Sequence, residues 1–145
     1  GYKQRDASAL GNIGVIYRSK GEADQALKYH LEALEIDREI GYKQGEASAL
    51  GNMGLIYQDK GEADQALKYH LEALEIDREI GYKQGEANQL GNIGVIYRSK
   101  GEADQALKYL KEALEISKQY GIKPLEEKFN RALEELKTGS SKLAE

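Results

Sequence analysis

The sequence predicts an all-α fold, a right-handed α-solenoid of three antiparallel helical hairpins followed by a capping helix. Three observations predict it. A 40-residue segment is written three times without a gap, apolar residues recur in each copy at helical spacing, and each copy holds two glycine-ended stretches joined by a short turn. One hairpin cannot bury its apolar face alone, so we expect copies that stack and cover one another.

The period is strict over the first 120 residues. Residues 1–40 and 41–80 differ at six positions, and residues 41–80 and 81–120 differ at twelve. Because no insertion or deletion is needed, each copy is expected to be one structural unit. The sequence therefore predicts three repeats with these bounds.

Each repeat divides into two helices. In the first repeat, one helix is expected from Asp6 to Ser19, and the second begins shortly after Gly21 and ends at Gly41. Glycine can adopt the left-handed conformation that closes a helix, which is why these two glycines are taken as helix ends. Residues 42–45 are expected to link one repeat to the next.

The chain after residue 120 departs from the repeat. Pro124 is well placed in the first turn of a helix, and an apolar stripe follows it. The stripe consists of Leu125, Phe129, Ala132, Leu133 and Leu136. The sequence predicts a capping helix at 121–137, and a flexible tail at 138–145 because those residues are small and polar.

Composition and charge exclude several classes of function. The net charge is −4, from 21 Lys+Arg against 25 Asp+Glu, which gives no electrostatic reason to expect a nucleic acid or an anionic membrane as partner. No apolar run is long enough to span a bilayer, and the chain does not open with a signal peptide. The absence of cysteine rules out disulfides and thiolate chemistry and is typical of a reducing compartment, so we expect a cytoplasmic protein.

A motif of small, apolar and aromatic residues recurs in all three repeats. In the first repeat it consists of Leu10, Ile13, Gly14, Tyr17, Gly21, Ala26, His30, Ala33 and Leu34. This motif resembles the tetratricopeptide repeat (TPR), although the usual unit has 34 residues and a tryptophan where Leu10 stands. The 40-residue spacing is more similar to the variants in kinesin light chains and Pins-like scaffolds. The resemblance implies a domain that binds peptides or partner proteins and is not a catalyst.

Asn12, Asn52 and Asn92 recur in the middle of the first helix of each repeat, although asparagine is unfavourable inside helices. Helical spacing puts them on the face that points away from the second helix, which lines the concave groove of a stack. A ladder of carboxamides there can both donate to and accept from a peptide backbone. The alternative is that each asparagine bonds a neighbouring helix and only fixes the stacking.

Other residues on this face vary between repeats and are candidates for selectivity. They are Ser8, Val15, Arg18, Leu55, Gln58, Asp59, Asn88, Val95 and Arg98. Any solvated face would vary in the same way, so the variation alone does not decide the matter. TPR proteins that hold chaperone tails place a lysine on this groove, and the resemblance argues against that ligand because Gly11 and Val15 stand there.

No catalytic residue, metal site or cofactor is predicted. His30 and His70 are the only histidines, and they lie one hairpin apart, which does not let them share a metal easily. The third repeat carries Leu110 at this position, so packed histidines are the better interpretation. The carboxylates are spread over helix faces that are expected to be exposed to solvent. No second type of residue recurs beside them that could serve as their partner in acid–base catalysis.

These observations predict a non-enzymatic scaffold that holds an extended or helical peptide of a partner protein in its groove. The alternative is a structural module with no specific ligand, either a spacer or a self-assembling one. The first hairpin exposes the face that later hairpins bury, so another copy can stack on it or exchange a hairpin with it.

Overall fold

The structure, a computed structural model, describes residues 1–144, with side chains described for residues 1–139. Within these residues it contains helices and no strand, which confirms the predicted all-α class. The helices are α1 (Tyr2–Ser19), α2 (Ala23–Ile40), α3 (Lys43–Asp59), α4 (Ala63–Ile80), α5 (Lys83–Ser99), α6 (Ala103–Gln119) and α7 (Lys123–Ala144). Successive helices pair as three hairpins, α1–α2, α3–α4 and α5–α6, one within each predicted repeat.

The chain forms two compact units. The N-terminal unit, Gly1–Tyr82, contains α1 to α4, and the C-terminal unit, from Lys83 onward, contains α5 to α7. In the N-terminal unit, α2 packs on α3 as well as on α1. The buried core between these helices and α4 consists of Leu34, Ala47, Ala49, Leu50, Met53, Ala73 and Ile76.

Glycine ends the helices as predicted. Gly21 has a φ of +77° and Gly41 a φ of +71°, both in the left-handed region that favours glycine. After each of them the chain folds back on the helix it leaves. The Glu22 amide donates to the Tyr17 carbonyl at 2.9 Å, and the Tyr42 amide donates to the Asp37 carbonyl at 2.9 Å. These bonds satisfy carbonyls that a helix end would otherwise leave without a partner.

The helices begin earlier than the sequence pattern indicated. α1 begins at Tyr2 rather than Asp6, and α3 begins at Lys43, so the expected link at 42–45 shrinks to the left-handed Gly41 and Tyr42. The prediction was wrong because one left-handed glycine is enough to redirect the chain, and the Lys and Gln that follow are good helix formers. Gly45 consequently lies inside α3.

Glycines inside the first helix of each hairpin permit close packing on the second helix. A Cβ added at Gly14 would lie 2.6 Å from Nε2 of His30, and one at Gly54 would lie 2.6 Å from Nε2 of His70. Both histidines are fully buried, which confirms that they are packed residues. Pairs of tyrosines stack beside these contacts, with ring centroids 5.3 to 5.5 Å apart. The pairs are Tyr17–Tyr29, Tyr57–Tyr69 and Tyr97–Tyr109.

In the C-terminal unit, α7 packs on both α5 and α6. Its apolar stripe supplies the buried residues Phe129 and Leu136, and Pro124 lies in its first turn as predicted. A Cβ added at Gly91 would lie only 2.2 Å from Cε1 of Phe129, so this ring occupies the space that the missing side chain leaves.

The helix α7 also runs to Ala144, beyond the predicted end at residue 137. Thr138, Gly139 and the serines that follow each lower helix stability by at most about 1 kcal/mol, and no proline interrupts them. The Thr138 hydroxyl donates to the Glu134 carbonyl at 2.9 Å and so joins the preceding turn. The flexibility predicted for 138–145 stays a prediction, and residue 145 lies outside the described residues.

We expect Gly91→Ala to destabilise the protein, because the added methyl group overlaps the buried Phe129 ring and forces it to move. Overpacking of this kind lowers the free energy of unfolding by about 1–3 kcal/mol. Gly11, at the same position of the first repeat, has nothing within 4 Å of an added Cβ. The matched variant Gly11→Ala should therefore gain about 0.5–1 kcal/mol from helix propensity. Urea unfolding measures both values, and equal stability of the two variants would contradict the packing argument.

Candidate functional site

Two neighbouring cavities lie in the N-terminal unit between α1 and α3, where α2 supplies part of the wall. The smaller, of about 200 Å³, is called the Asp37 cavity. Its lining includes Ser8, Asn12, His30, Asp37, Tyr42 and Asn52. The larger, of about 310 Å³, is called the Arg18 cavity and is lined by Val15, Arg18, Ser19, His30, Asn52 and Asp59. The two share part of their lining and together form the groove of this unit.

Half of the predicted binding residues line this groove. They are Ser8, Asn12, Val15, Arg18, Asn52 and Asp59. The residues on α1 could be grouped from helical spacing alone, because residues three and four positions apart lie on the same face of a helix. Their placement follows the prediction, whereas ligand binding by them stays a prediction.

The carboxamides of Asn12 and Asn52 are available to a ligand. Asn12 is exposed and Asn52 is partly buried. In the part of the chain that the structure describes, neither side chain hydrogen-bonds another residue. The alternative in which these asparagines fix the stacking of helices therefore finds no bond to support it in this unit.

Arg18 and Asp59, which both line the Arg18 cavity, pair with each other. The Arg18 Nε donates to Asp59 Oδ2 at 2.6 Å, and Nη2 donates to Oδ1 at 3.2 Å. This two-point bond raises the pKa of the Arg18 guanidinium above its ordinary value. Because both side chains are well exposed, the pair stabilises the fold by at most about 1 kcal/mol. A ligand therefore meets a neutral pair here rather than two separate charges.

Gln58, another predicted selectivity residue, is engaged inside its own repeat. Its Oε1 lies 2.8 Å from Nε2 of His70. In the first repeat, Arg18 stands at the position of Gln58 and turns to Asp59, which leaves His30 without that partner. The next-to-last residue of the first helix, Gln58 or Arg18, therefore decides whether the buried histidine has a side-chain partner there.

The groove contains two buried polar side chains that lack a hydrogen-bond partner. Within the described residues these are His30, at both ring nitrogens and 1% exposed, and Asp37, at Oδ1 and 4% exposed. Burial lowers the pKa of His30, and the nearby Arg18 charge lowers it further. Burial raises the pKa of Asp37, and the negative charge of Glu46 adds to the effect. Each such group costs about 1–3 kcal/mol while it stays unpaired, so a partner that supplies hydrogen bonds is favoured.

Asp37 was not among the predicted site residues, although the sequence carried a signal for it. It lies buried on α2, whereas Ile40, one turn later, is 39% exposed. Asp37 follows Ala33 and Leu34 by four and three residues, so its spacing already put it on the buried stripe of α2. The signal was an acidic residue at a position of the helix where the pattern predicts a buried apolar one.

The remaining candidates lie elsewhere. Leu55 is partly buried on α3. Asn88 and Asn92 are partly buried on α5, and Val95 is exposed there. In the C-terminal unit, Arg98 donates to Glu135 of α7 at 3.1 Å, beside a cavity of about 410 Å³ between these helices. The binding role of these residues stays a prediction.

Among the described side chains, no three His, Asp or Glu residues are grouped as ligands of a metal ion. None of the described helices has both the length and the apolar character that crossing a bilayer requires.

Comparison with known proteins identifies the repeat. A family model described as tetratricopeptide repeat matches residues 5–79 and again residues 45–119. No curated protein sequence matches the chain.

Several solved structures share the fold. The aspartyl phosphate phosphatase F of Bacillus subtilis superposes with a TM-score of 0.91 at 17% identity, over 98% of this chain and 37% of the phosphatase. A signal transduction ATPase with a tetratricopeptide repeat sensor from Pyrococcus horikoshii gives 0.82 at 26% identity, over 94% of this chain and 21% of the ATPase. The TPR domain of Arabidopsis FLU gives 0.75 at 20% identity, over 81% of this chain and 98% of that domain. The chain thus spans well under half the length of the first two proteins.

We expect the stability of the protein to fall below about pH 6.5, partly through His30. Because the folded-state pKa of His30 is lowered, the unfolded chain binds this proton more tightly, and acid favours unfolding. The contribution is complete above the unfolded pKa and is lost as the pH falls towards the folded pKa, by at most about 1.4 kcal/mol per pH unit.

The matched variant is His30→Leu, since Leu110 occupies this position in the third repeat. Urea unfolding at about pH 7.5 and about pH 5.5 should give a smaller loss of stability in the variant than in the parent chain. Equal losses would mean that His30 does not titrate differently on folding.

Proposed function

Because the chain belongs to the tetratricopeptide repeat family, we propose that it is a protein-interaction scaffold that binds a peptide segment of a partner in the groove of its N-terminal unit. The observation that carries this proposal is the pair of free carboxamides, Asn12 and Asn52, on either side of the groove. A carboxamide both donates and accepts, which matches the alternating N–H and C=O groups of a peptide backbone.

The dimensions of the groove favour a peptide over a small-molecule ligand. Pockets for drug-sized molecules usually hold about 300–1,000 Å³; the Asp37 cavity, at about 200 Å³, is smaller than that, and the Arg18 cavity, at about 310 Å³, is at the lower end of the range. Two small adjoining cavities suit successive side chains of one peptide better than a single compact ligand. Val15 gives the groove an apolar wall, and the Arg18–Asp59 pair gives it a polar one.

The proposal is for a non-catalytic protein, in keeping with the general character of the family. The Bacillus subtilis neighbour is named for a phosphatase activity, but its 17% identity carries the fold alone. The proposal retains a cytoplasmic location and the expectation that neither a nucleic acid nor a membrane is a partner. It also retains the remaining residues predicted to contact the peptide, which are Leu55, Gln58, Asn88, Asn92, Val95 and Arg98.

We expect the variant Asn12→Ala/Asn52→Ala to bind peptides at least about tenfold more weakly, because two backbone hydrogen bonds are lost. Its free energy of unfolding should not fall, since neither side chain holds the fold together and alanine favours the helix. The probe is an array of random capped peptides, with hits measured by fluorescence anisotropy.

Asn130→Ala is the matched control, because Asn130 is an exposed asparagine on α7. Adding Asn92→Ala to the double variant tests the predicted ladder in the third repeat. Unchanged affinity in a folded triple variant would overturn the carboxamide mechanism.

A specific observation also favours the second candidate function, self-association. Ile16 on α1 is 55% exposed, whereas the equivalent Ile56 on α3 is 0% exposed. Ile13 is exposed as well, and its counterpart Met53 is buried. α1 thus exposes the apolar face that α3 buries in the core of the same unit, and a second copy of the chain can supply the missing cover.

If this face self-associates, the weight-average mass from sedimentation equilibrium should rise with concentration. Ile16→Lys should abolish the rise, because burying an unpaired ammonium group is unfavourable. Leu31→Lys, at another exposed apolar residue on α2, is the matched control and should leave the rise intact. A monomer at every concentration would rule out this second function.

A further inference from the structure

Asp37 is the only charged residue among those that line the Asp37 cavity, apart from the titratable His30. Its side chain is almost fully buried, and Oδ1 has no hydrogen-bond partner. A buried carboxylate is normally paired with a cation or with several donors. This carboxylate therefore faces an open cavity with a bonding position unfilled.

The basic residues nearest in sequence do not supply the missing partner. Arg38 directs its Nε to Glu46 at 3.1 Å and its Nη2 to Glu72 at 3.2 Å. Lys43 lies 3.5 Å from Glu46. Both cations therefore neutralise other carboxylates, and the charge of Glu46 still raises the pKa of Asp37. The electrostatic environment of the cavity favours an incoming positive group.

The rest of the cavity wall suits a cationic group as well. Tyr42 contributes an aromatic ring, and ring faces attract ammonium and guanidinium ions. Ser8, Ser48 and Asn52 contribute oxygen atoms that accept hydrogen bonds. The carboxylate and the oxygen atoms beside it favour a group that donates hydrogen bonds and carries positive charge over an anion.

Gly45 leaves the room that the carboxylate occupies in this position. A Cβ at Gly45 would lie 2.5 Å from Asp37 Oδ2 and 2.7 Å from Cδ2 of Tyr42, so only glycine lets α3 come this close to both. Arg5 stands at the equivalent position of the first repeat. In the third repeat Ser117 replaces the acid, and its hydroxyl donates to the Ala113 carbonyl at 2.8 Å. Asp77, the equivalent acid of the second repeat, is also buried but makes an interaction of its own, so the carboxylate with an unfilled position is Asp37.

Resting on the proposed peptide-binding function, we propose that the Asp37 cavity is the subsite for a basic side chain of the bound peptide, whose cationic group donates to Asp37 Oδ1. About 200 Å³ holds one lysine or arginine side chain end, since a water molecule takes about 30 Å³ in the liquid. A bound cation also stabilises the ionised form of Asp37. The scaffold therefore selects peptides with a lysine or arginine at this point.

The test uses four capped pentapeptides that differ only at a central residue between alanines: arginine, lysine, citrulline and norleucine. Citrulline keeps the shape of arginine and norleucine keeps the length of lysine, and neither carries a charge. NMR titration of the labelled full chain, following the Gly45 and Ser48 amides, reports binding at the cavity. The arginine and lysine peptides should bind at least about tenfold more tightly than their neutral counterparts.

Asp37→Asn should remove this preference, because the amide keeps the shape but loses the charge. Asp59→Asn is the matched control, a groove carboxylate already paired with Arg18, and should keep the preference. Equal binding of all four peptides would overturn the cationic subsite and leave the peptide scaffold standing. A preference that survives Asp37→Asn would also overturn the subsite. No binding by any peptide would overturn the subsite and the proposed function together. The comparison of charged with neutral peptides uses the unaltered chain, so it does not depend on how the variant folds.

Discussion

The close approach of the two helices in each hairpin is the constraint on which the rest of this structure depends. Gly14, Gly54 and Gly94 leave room for His30, His70 and Leu110, and an added Cβ would come within 2.8 Å of each partner. This contact sets the spacing of the hairpin, and the stacked tyrosine pairs occupy the space beside it. It also buries a histidine at the wall of the groove. Packing and the chemistry of the candidate site therefore have the same origin.

Much of the fold could be predicted because its signals are local. The strict period and the left-handed glycines depend only on neighbouring residues, and the glycine helix ends appear in the structure where the sequence put them. The first residues of the helices and the last residue of α7 were harder to predict from the sequence. Lys43 and Thr138 lie in stretches with no strong stop signal, so their state depends on small propensity differences and on contacts with other helices.

The candidate site was predictable only in part. Helical geometry placed Ser8, Asn12 and Val15 on one face, and the structure shows them lining the groove. Asp37 was missed because the pattern records which face a residue occupies and not whether its oxygen atoms find donors. The same limit applies to Arg18. Its side chain bonds Asp59 of the next repeat and not His30 of its own repeat, and the sequence pattern does not show which of the two lies within bonding distance. Such choices are properties of the assembled fold.

The bond between Gln58 and His70 bears on how repeats of this kind can diversify. Its two members lie in different helices of one hairpin, twelve residues apart, so duplication of a whole repeat keeps them together. A recombination that joins the first helix of one repeat to the second helix of another separates them. An exchange of segments that keeps this bond must therefore keep both helices of the hairpin, and a boundary at the glycine turns between hairpins meets that condition.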